Sequence, residues 1–137
     1  LLHCDLVYAR EESALVLPFV ALGLCPEGGS TQLIPQLADH VKAFEWLVLG
    51  QPCSAQGAAQ CGLVNAVLPV DQLSDQVDRA VPRLVALDPQ AVQQSRRRLQ
   101  LAAGEQLDAL MQAEMDLFES LLEGEAAQRA LKAFVSR

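Results

Sequence analysis

Basic residues are scarce in this chain, and acidic residues outnumber them throughout. Ten Lys and Arg stand against seventeen Asp and Glu, which gives a formal net charge of −7. Residues 1–69 hold two basic and six acidic residues, and residues 70–137 hold eight and eleven. Nucleic-acid binding relies on Lys and Arg to neutralise phosphates, so this balance argues against a nucleic-acid partner. A small anionic ligand needs only a few local cations and stays open.

Metal-ligand and disulfide patterns are also missing. The four cysteines, at positions 4, 25, 53 and 61, include no C-x-x-C pair. The two histidines, at positions 3 and 40, therefore have no pair of cysteines with ligand spacing near them. The spacing therefore argues against a zinc site and against a disulfide framework. We expect no metal, and we expect reduced, mostly buried cysteines in an intracellular compartment. That compartment is the cytoplasm, or a mitochondrion or peroxisome in a eukaryote.

Long apolar runs and aromatic residues are few. No apolar run reaches the ~18 residues of a membrane span, so we expect none. No basic region followed by an apolar stretch marks a signal peptide. The 137 residues are 51% hydrophobic, enough for one globular domain whose core is mostly Leu, Val and Ala. Residues 1–9 resemble the end of one element running into a buried strand, so we expect a longer parent chain.

The pattern of apolar and helix-capping residues predicts an α/β protein that is mostly helical with a few short strands. Residues 1–69 alternate short elements, and residues 70–137 are helical throughout, with the boundary at Pro69 to Asp71. Strands are predicted near residues 6–9, 14–17 and 63–68. Helices are predicted near residues 31–37, 39–49, 55–61, 71–86, 90–103, 105–122 and 125–135. Asp39, Ser54, Asp71 and Asp88 are the predicted helix caps.

One stretch, residues 19–31, combines apolar residues, a turn and a helix start. It carries a single carboxylate, Glu27, followed by Gly28 and Gly29, which permit positive φ and close approach. Ser30 or Thr31 can cap the helix that follows. An acid beside a glycine-rich helix entry, flanked by apolar residues, is a candidate catalytic base. On the local pattern alone, a surface acid in a turn is the favoured interpretation, ahead of a catalytic base.

Several short motifs occur together in a fixed order along the chain. They are Pro18-Phe19, Leu22-Gly23, Pro26-Glu27-Gly28-Gly29-Ser30-Thr31, Leu49-Gly50, Ala55 and Ala58, Gly62-Leu63-Val64-Asn65, Val67 and Pro69. With these motifs the chain resembles the enoyl-CoA hydratase/isomerase (crotonase) superfamily. The resemblance covers nearly the whole chain, but only the C-terminal half of a typical member.

The resemblance implies a fold, a reaction class and an assembly. It implies the C-terminal part of a ββα-superhelix core over residues 1–69, with the Glu27 turn, and a helical region over residues 70–137 that serves oligomerisation. The implied partner is an acyl-CoA thioester, with coenzyme A as part of the substrate and no separate cofactor. Two backbone N–H groups would stabilise the thioester oxyanion, one of them from the turn at Leu22-Gly23. The implied assembly is a homotrimer or a dimer of trimers.

The resemblance also bears on the choice between hydration and isomerisation. Hydratases of the superfamily use two glutamates; one position lies upstream of Leu1, and the other corresponds to Phe19, which cannot transfer a proton. The chain most resembles the Δ3,Δ2-enoyl-CoA isomerases, in which the glutamate of a Pro-Glu-Gly stretch is the single base. Glu27 occupies that position. The resemblance therefore implies double-bond isomerisation, with hydration or another crotonase reaction as the alternative.

The remaining candidates are pocket residues and isolated charges. The residues that could line an acyl pocket, or equally form core, are Phe19, Leu22, Leu24, Cys25 and Gly28. Glu114 lies on the apolar face of its helix, so we expect a structural partner for it, within the chain or across a subunit contact. The run at 96–98 of three arginines is interpreted as a solvated helix face. A non-catalytic domain that binds coenzyme A or a protein partner is the alternative from another class.

Overall fold

The computed structural model describes residues 1–102, 104 and 106–135 and confirms an α/β chain dominated by helices. The predictions that reach Ala103, Glu105 and Arg137 fall outside the described residues. The strands are β1 (Tyr8–Arg10), β2 (Ala14–Leu15), β3 (Cys53–Ser54) and β4 (Ala66–Leu68). The helices are α1 (Ser30–Leu47), α2 (Ala55–Gln60), α3 (Leu73–Val85), α4 (Pro89–Ala102), α5 (Leu107–Leu122) and α6 (Glu125–Val135). A short 3-10 turn, Val20–Leu22, precedes α1.

The chain divides into two compact units made of interleaved segments. The first unit comprises Leu1–Ala14 and Ser54–Glu105, and the second comprises Leu15–Cys53 and Gln106–Arg137. The boundary proposed from the sequence, at residues 69–70, separates a core region from an oligomerisation region. It concerns the roles of the two regions, not their compactness, and stays a prediction. Within the described residues, no helix is long and apolar enough to cross a membrane.

The first unit is built on a parallel strand pair. β1 pairs with β4 in the register Tyr8 to Ala66 and Arg10 to Leu68. Asn65 extends this pair, because its N–H donates to the Val7 carbonyl at 2.8 Å and its Oδ1 accepts from the Val7 N–H at 2.7 Å. A side chain thus continues the ladder where backbone pairing ends.

Two of the predicted caps in this unit are confirmed, and a third is wrong. Ser54 Oγ accepts from the Gly57 N–H at 3.1 Å, and Asp88 Oδ1 accepts from the Ala91 N–H at 2.7 Å. Asp71 does not cap α3, whose N-cap is Gln72, with no side-chain hydrogen bond. The helix begins later than the sequence predicts because a turn closed by the Gln72 N–H on the Pro69 carbonyl comes first.

Helix α1, in the second unit, is two helical segments joined at a kink. Ala38 and Asp39 leave helical geometry, and Asp39 has φ 61° and ψ 170°. That region is sparsely populated by residues with a side chain and is strained by about 1–3 kcal/mol. The side chain offsets part of this strain, since Asp39 Oδ1 caps the second segment by accepting from the Lys42 N–H at 3.0 Å. The two separate helices predicted from the sequence, with Asp39 between them, are confirmed.

The buried side chains of the second unit lie mostly on α1. Ile34 is 2% exposed, and Leu33, Ala43, Trp46 and Leu47 are also buried. Trp46, the single tryptophan, is therefore a packing residue. α6 packs against both the 3-10 turn and α5. The 3-10 turn that precedes the Glu27 loop is consequently packed against a helix that is distant in sequence.

Candidate functional site

Glu27 lies in the loop that leads into α1. The loop closes on itself, because the Ser30 N–H donates to the Glu27 carbonyl at 3.2 Å. Gly28 and Gly29 follow with φ 68° and 75°, a left-handed geometry that glycine adopts without a steric penalty. The Glu27 side chain is half-buried. Within the part of the chain that the structure describes, no protein group donates a hydrogen bond to its carboxylate, so the carboxylate can accept a proton from a ligand.

Four of the predicted pocket residues lie in the loop before Glu27, and the fifth, Gly28, directly follows it. Phe19 precedes the 3-10 turn, and its carbonyl accepts from the Leu24 N–H at 2.9 Å, which folds the loop back on itself. Phe19, Leu22, Cys25 and Gly28 are half-buried, whereas Leu24 is only 8% exposed. All five residues therefore lie in sequence between Phe19 and Gly28, in the segment that carries Glu27. Their contact with an acyl chain stays a prediction.

The expectation that the Leu22-Gly23 turn supplies an oxyanion N–H is wrong. The Leu22 N–H donates to the carbonyls of Pro18 and Phe19, and the Gly23 N–H donates to the Val20 carbonyl at 3.0 Å. Both donors are consumed because the segment forms a 3-10 turn, which pairs each N–H with a carbonyl three residues earlier. A thioester oxygen would have to take its donors from elsewhere.

Cys25 lies two residues before Glu27 in the same turn. Its thiol donates to the Glu114 carbonyl at 3.6 Å. Burial raises the pKa of the Cys25 thiol, and the negative charges of Glu114 and Glu27 raise it further, against the opposing effect of a backbone hydrogen bond. A thiol with a raised pKa is a poor nucleophile near neutral pH. The structure thus agrees that Cys25 is not a nucleophile, but its side chain is half-buried rather than buried.

The cap of α1 comes from α5 rather than from the predicted Ser30 or Thr31. The N-cap position is Gly29, which has no side chain to offer. Glu114 instead accepts from the Gly29 N–H at 2.6 Å through Oε2, and from the Thr31 N–H at 3.2 Å through Oε1. The Thr31 hydroxyl also donates to Oε1. The Ser30 hydroxyl is buried and has no hydrogen-bond partner among the described residues.

The first arginine of the 96–98 run forms its ion pair within the first unit. Arg96 forms an ion pair with Asp5 at 2.8 Å, and both side chains are exposed, as expected for a solvated helix face. No cluster of His, Cys, Asp and Glu in the described part of the chain could hold a metal ion. Among the described residues, the titratable side chains of the loop are Glu27 and Cys25, and the buried Glu114 of α5 contacts the loop on either side of Glu27.

Comparison with known proteins agrees with the resemblance noted in the sequence. The sequence model of the enoyl-CoA hydratase/isomerase family matches residues 1–137. The chain is 29% identical over 136 residues to the 2,3-dehydroadipyl-CoA hydratase of Escherichia coli, covering 99% of this chain and 53% of that protein. It is 29% identical over 133 residues to human enoyl-CoA delta isomerase 2, covering 97% of this chain and 34% of that protein.

Solved structures show the same fold. A crystal structure of an enoyl-CoA hydratase/isomerase from Pseudoalteromonas atlantica matches with a TM-score of 0.91 at 30% identity. The match covers 98% of this chain and 54% of that one. The chain therefore belongs to the enoyl-CoA hydratase/isomerase family and has the crotonase fold of its C-terminal part. It spans about half the length, or less, of these relatives.

Proposed function

We propose that the chain is part of an acyl-CoA-processing enzyme in which Glu27 moves the double bond of an enoyl-CoA thioester. The Glu27 carboxylate takes a proton from C2 of a 3-enoyl thioester, and the electrons spread over the thioester oxygen and the former double bond. The same carboxyl group then returns the proton at C4, which gives the 2-enoyl product. One group both takes and gives the proton, so neither water nor a redox cofactor is consumed.

The placement of Glu27 carries this proposal. The carboxylate is half-buried and unengaged by the described residues, and it extends from a turn that is held by the Gly29 backbone N–H and by the Cys25 thiol. The apolar loop from Phe19 to Leu24 lies directly before it and is proposed to line the acyl pocket. A fixed backbone under an unengaged carboxylate suits transfer between two carbons of one bound substrate.

Oxyanion stabilisation is proposed to come from outside the Leu22-Gly23 turn, since that turn uses its own N–H groups. The family relatives are longer than this chain, and we propose that both donors lie in the part of the fold that the match does not cover. Coenzyme A enters only as part of the substrate, and no further cofactor is proposed.

Hydration is the second candidate, because one of the similar proteins is a hydratase. It requires a second acid or base to act on water. Glu114 is poorly suited to that role, since it is 6% exposed and both of its oxygens already accept hydrogen bonds. Phe19 offers no proton. These two positions favour isomerisation.

The deciding experiment compares wild type with Glu27→Gln in two assays on the intact protein, whose mass is first checked by mass spectrometry. One assay follows conversion of 3-enoyl-CoA to 2-enoyl-CoA, and the other follows hydration of 2-enoyl-CoA. We expect isomerisation that Glu27→Gln abolishes and that Glu119→Gln, an exposed change on α5, retains. Equal rates for wild type and Glu27→Gln would remove Glu27 from the mechanism. Binding of an acyl-CoA without either reaction would favour the non-catalytic alternative.

We also propose an assembly and a location for the protein. Several apolar side chains of the C-terminal helices are exposed in the single chain, among them Val85 at 77%, Leu99 at 74% and Phe134 at 69%. Exposed apolar surface of this kind supports a homotrimer, or a dimer of trimers, as the assembly. A monomer in sedimentation equilibrium would contradict it. The four cysteines form no disulfide, which supports a reducing compartment, namely the cytoplasm, or a mitochondrion or peroxisome in a eukaryote.

A further inference from the structure

Glu114 is a buried carboxylate that the proposed proton transfer does not use. It lies in the middle of α5, only 6% exposed. The Glu114 carboxylate accepts three hydrogen bonds from the start of α1. The donors are the backbone N–H of the N-cap residue Gly29, the backbone N–H of Thr31 and the Thr31 hydroxyl. A carboxylate removed from water is strongly unfavourable unless donors compensate it, and these donors do so.

The donors are the ones that a helix leaves unpaired at its start. The first N–H groups of an α-helix have no carbonyl partner within the helix, and the helix dipole makes that end favourable for an anion. Charge-assisted hydrogen bonds of this kind are shorter and stronger than neutral ones, in keeping with the 2.6 Å from Gly29 N to Oε2. The Glu114 carboxylate therefore fixes the start of α1 in place of a local capping residue.

The same face of α5 also holds the backbone of the turn by packing. A Cβ added at Gly29 would lie 2.8 Å from Leu107 Cδ1 and 3.4 Å from Met111 Cγ, so α5 rests directly on the Gly29 backbone. Leu107, Met111 and Glu114 are spaced four and three residues apart, which places them on one helical face. Packing and hydrogen bonding thus converge on one point of the turn.

The contacts of Glu114 bracket Glu27 on both sides. On one side, the Glu114 carbonyl accepts from the Cys25 thiol, and on the other its carboxylate accepts from the Gly29 N–H. Cys25 and Gly29 each lie two residues from Glu27. The turn that carries the proposed base is consequently held by one residue of a distant helix, through the Cys25 side chain before Glu27 and the Gly29 backbone after it.

We infer that Glu114 is a positioning residue, which sets the location of the Glu27 carboxylate by holding the turn on either side of it. The inference rests on the proposed function for its catalytic consequence, and on the hydrogen bonds alone for its effect on the turn. Glu114 does not touch the substrate in this scheme. A displacement of the base by about 1 Å can lower a rate on the order of 100-fold, so small losses of fixation are measurable.

The test uses Glu114→Gln and two changes at its partner. Gln keeps the shape of the side chain but turns an NH2 group toward one of the α1 donors, which breaks part of the cap. Thr31→Val removes the hydroxyl donor and keeps the volume, and Thr31→Ser keeps the donor. Two matched controls are Glu119→Gln, a loss of charge at an exposed site on α5, and Ser30→Ala, which removes a neighbouring hydroxyl that has no partner among the described residues.

The kinetic result expected is a selective loss of kcat. Glu114→Gln should lower kcat on the order of 10- to 100-fold, while KM changes by less than about threefold, because the substrate contacts remain. Thr31→Val should lower kcat less, and Thr31→Ser should restore it to within about twofold of wild type. The two controls should keep wild-type kcat. A purely structural role would lower the amount of folded enzyme and leave kcat per folded molecule unchanged, a result that would overturn the inference.

A spectroscopic arm separates this inference from the proposed function. The Gly29 amide proton, bonded to a carboxylate, should resonate downfield in the two-dimensional amide NMR spectrum and move upfield in Glu114→Gln. Its hydrogen exchange should become faster, and that of Thr31 likewise. If wild type and Glu27→Gln show equal rates, the proposed function fails, and the amide exchange still decides whether Glu114 holds the turn. Unchanged Gly29 and Thr31 amides in Glu114→Gln, or unchanged kcat in an active enzyme, would overturn the inference. If Glu114→Gln does not fold, the Thr31→Val and Thr31→Ser pair supplies the same decision.

Discussion

The fit of α6 against the loop before Glu27 can be tested with a pair of glycine substitutions. Gly23 and Gly28 both have left-handed backbones, with φ 74° and 68°. An added methyl group therefore strains both positions by about 1 kcal/mol. Their surroundings differ. A Cβ at Gly23 would lie 2.7 Å from Ala127 N and 2.9 Å from Ala126 C, whereas a Cβ at Gly28 would meet no atom within 4 Å.

This difference sets the expected magnitudes. Backbone atoms of α6 cannot turn aside as a side chain can, so Gly23→Ala should add about 1–3 kcal/mol of overpacking to the backbone strain. We expect Gly28→Ala to lower the free energy of unfolding by about 1 kcal/mol and Gly23→Ala to lower it by about 2–4 kcal/mol. The measurement is urea unfolding followed by the fluorescence of Trp46, the single tryptophan, which is buried in the same unit.

The comparison between the two variants is what tests the packing. Equal losses for Gly23→Ala and Gly28→Ala would show that α6 does not press on the loop at Gly23. A larger loss for Gly28→Ala would contradict the described placement of the loop altogether. Either result would also contradict the proposal that residues 19–24 form a rigid apolar lining beside Glu27.

Two further predictions concern strain and thiol chemistry. Asp39→Gly should raise the free energy of unfolding by about 1 kcal/mol, because glycine relieves the strain at φ 61° and loses little as a helix cap, whereas Asp39→Ala should lower it by about 1 kcal/mol. The same urea assay distinguishes the two variants, and a lower free energy of unfolding for Asp39→Gly would contradict the strain. Burial and nearby negative charge raise the pKa of Cys25 above its ordinary value of 9.0. Near neutral pH, iodoacetamide should therefore modify the exposed Cys4 first, and the rate of Cys25 modification should keep rising above pH 9.0. Peptide mass spectrometry gives both rates, and equal rates near neutral pH would contradict the raised pKa of Cys25.

Elements governed by neighbouring residues were predictable from the sequence. Helix α6 has the predicted bounds, Glu125–Val135, since a glycine precedes it and its acid lies in the first turn. Ser54 and Asp88 cap helices as predicted because an N-cap side chain reaches only two or three residues along the chain. The two segments of α1 were predictable for the same reason, with Asp39 as the cap between them.

Features governed by distant residues were not predictable in this way. The Ser30 and Thr31 side chains were assigned as caps by local rules, but a carboxylate 83 residues beyond Thr31 takes that role. The oxyanion assignment of the Leu22-Gly23 turn came from the resemblance and failed for a local reason, because the segment forms a 3-10 turn that consumes its own N–H groups. The one sequence signal of the true arrangement was Glu114 itself, an acid on an apolar helix face. It required a buried partner but did not say which.

Helix α5 separates two tasks by the faces it presents. Leu107, Met111 and Glu114 hold the Glu27 turn, while Met115 and Leu117, at 40% and 51% exposed, lie open in the single chain. If the C-terminal helices form the proposed subunit contacts, α5 can contribute its exposed residues to them without releasing the turn. Assembly and proton transfer would then be coupled only through the rigidity of one helix, because the residues serving each task are different.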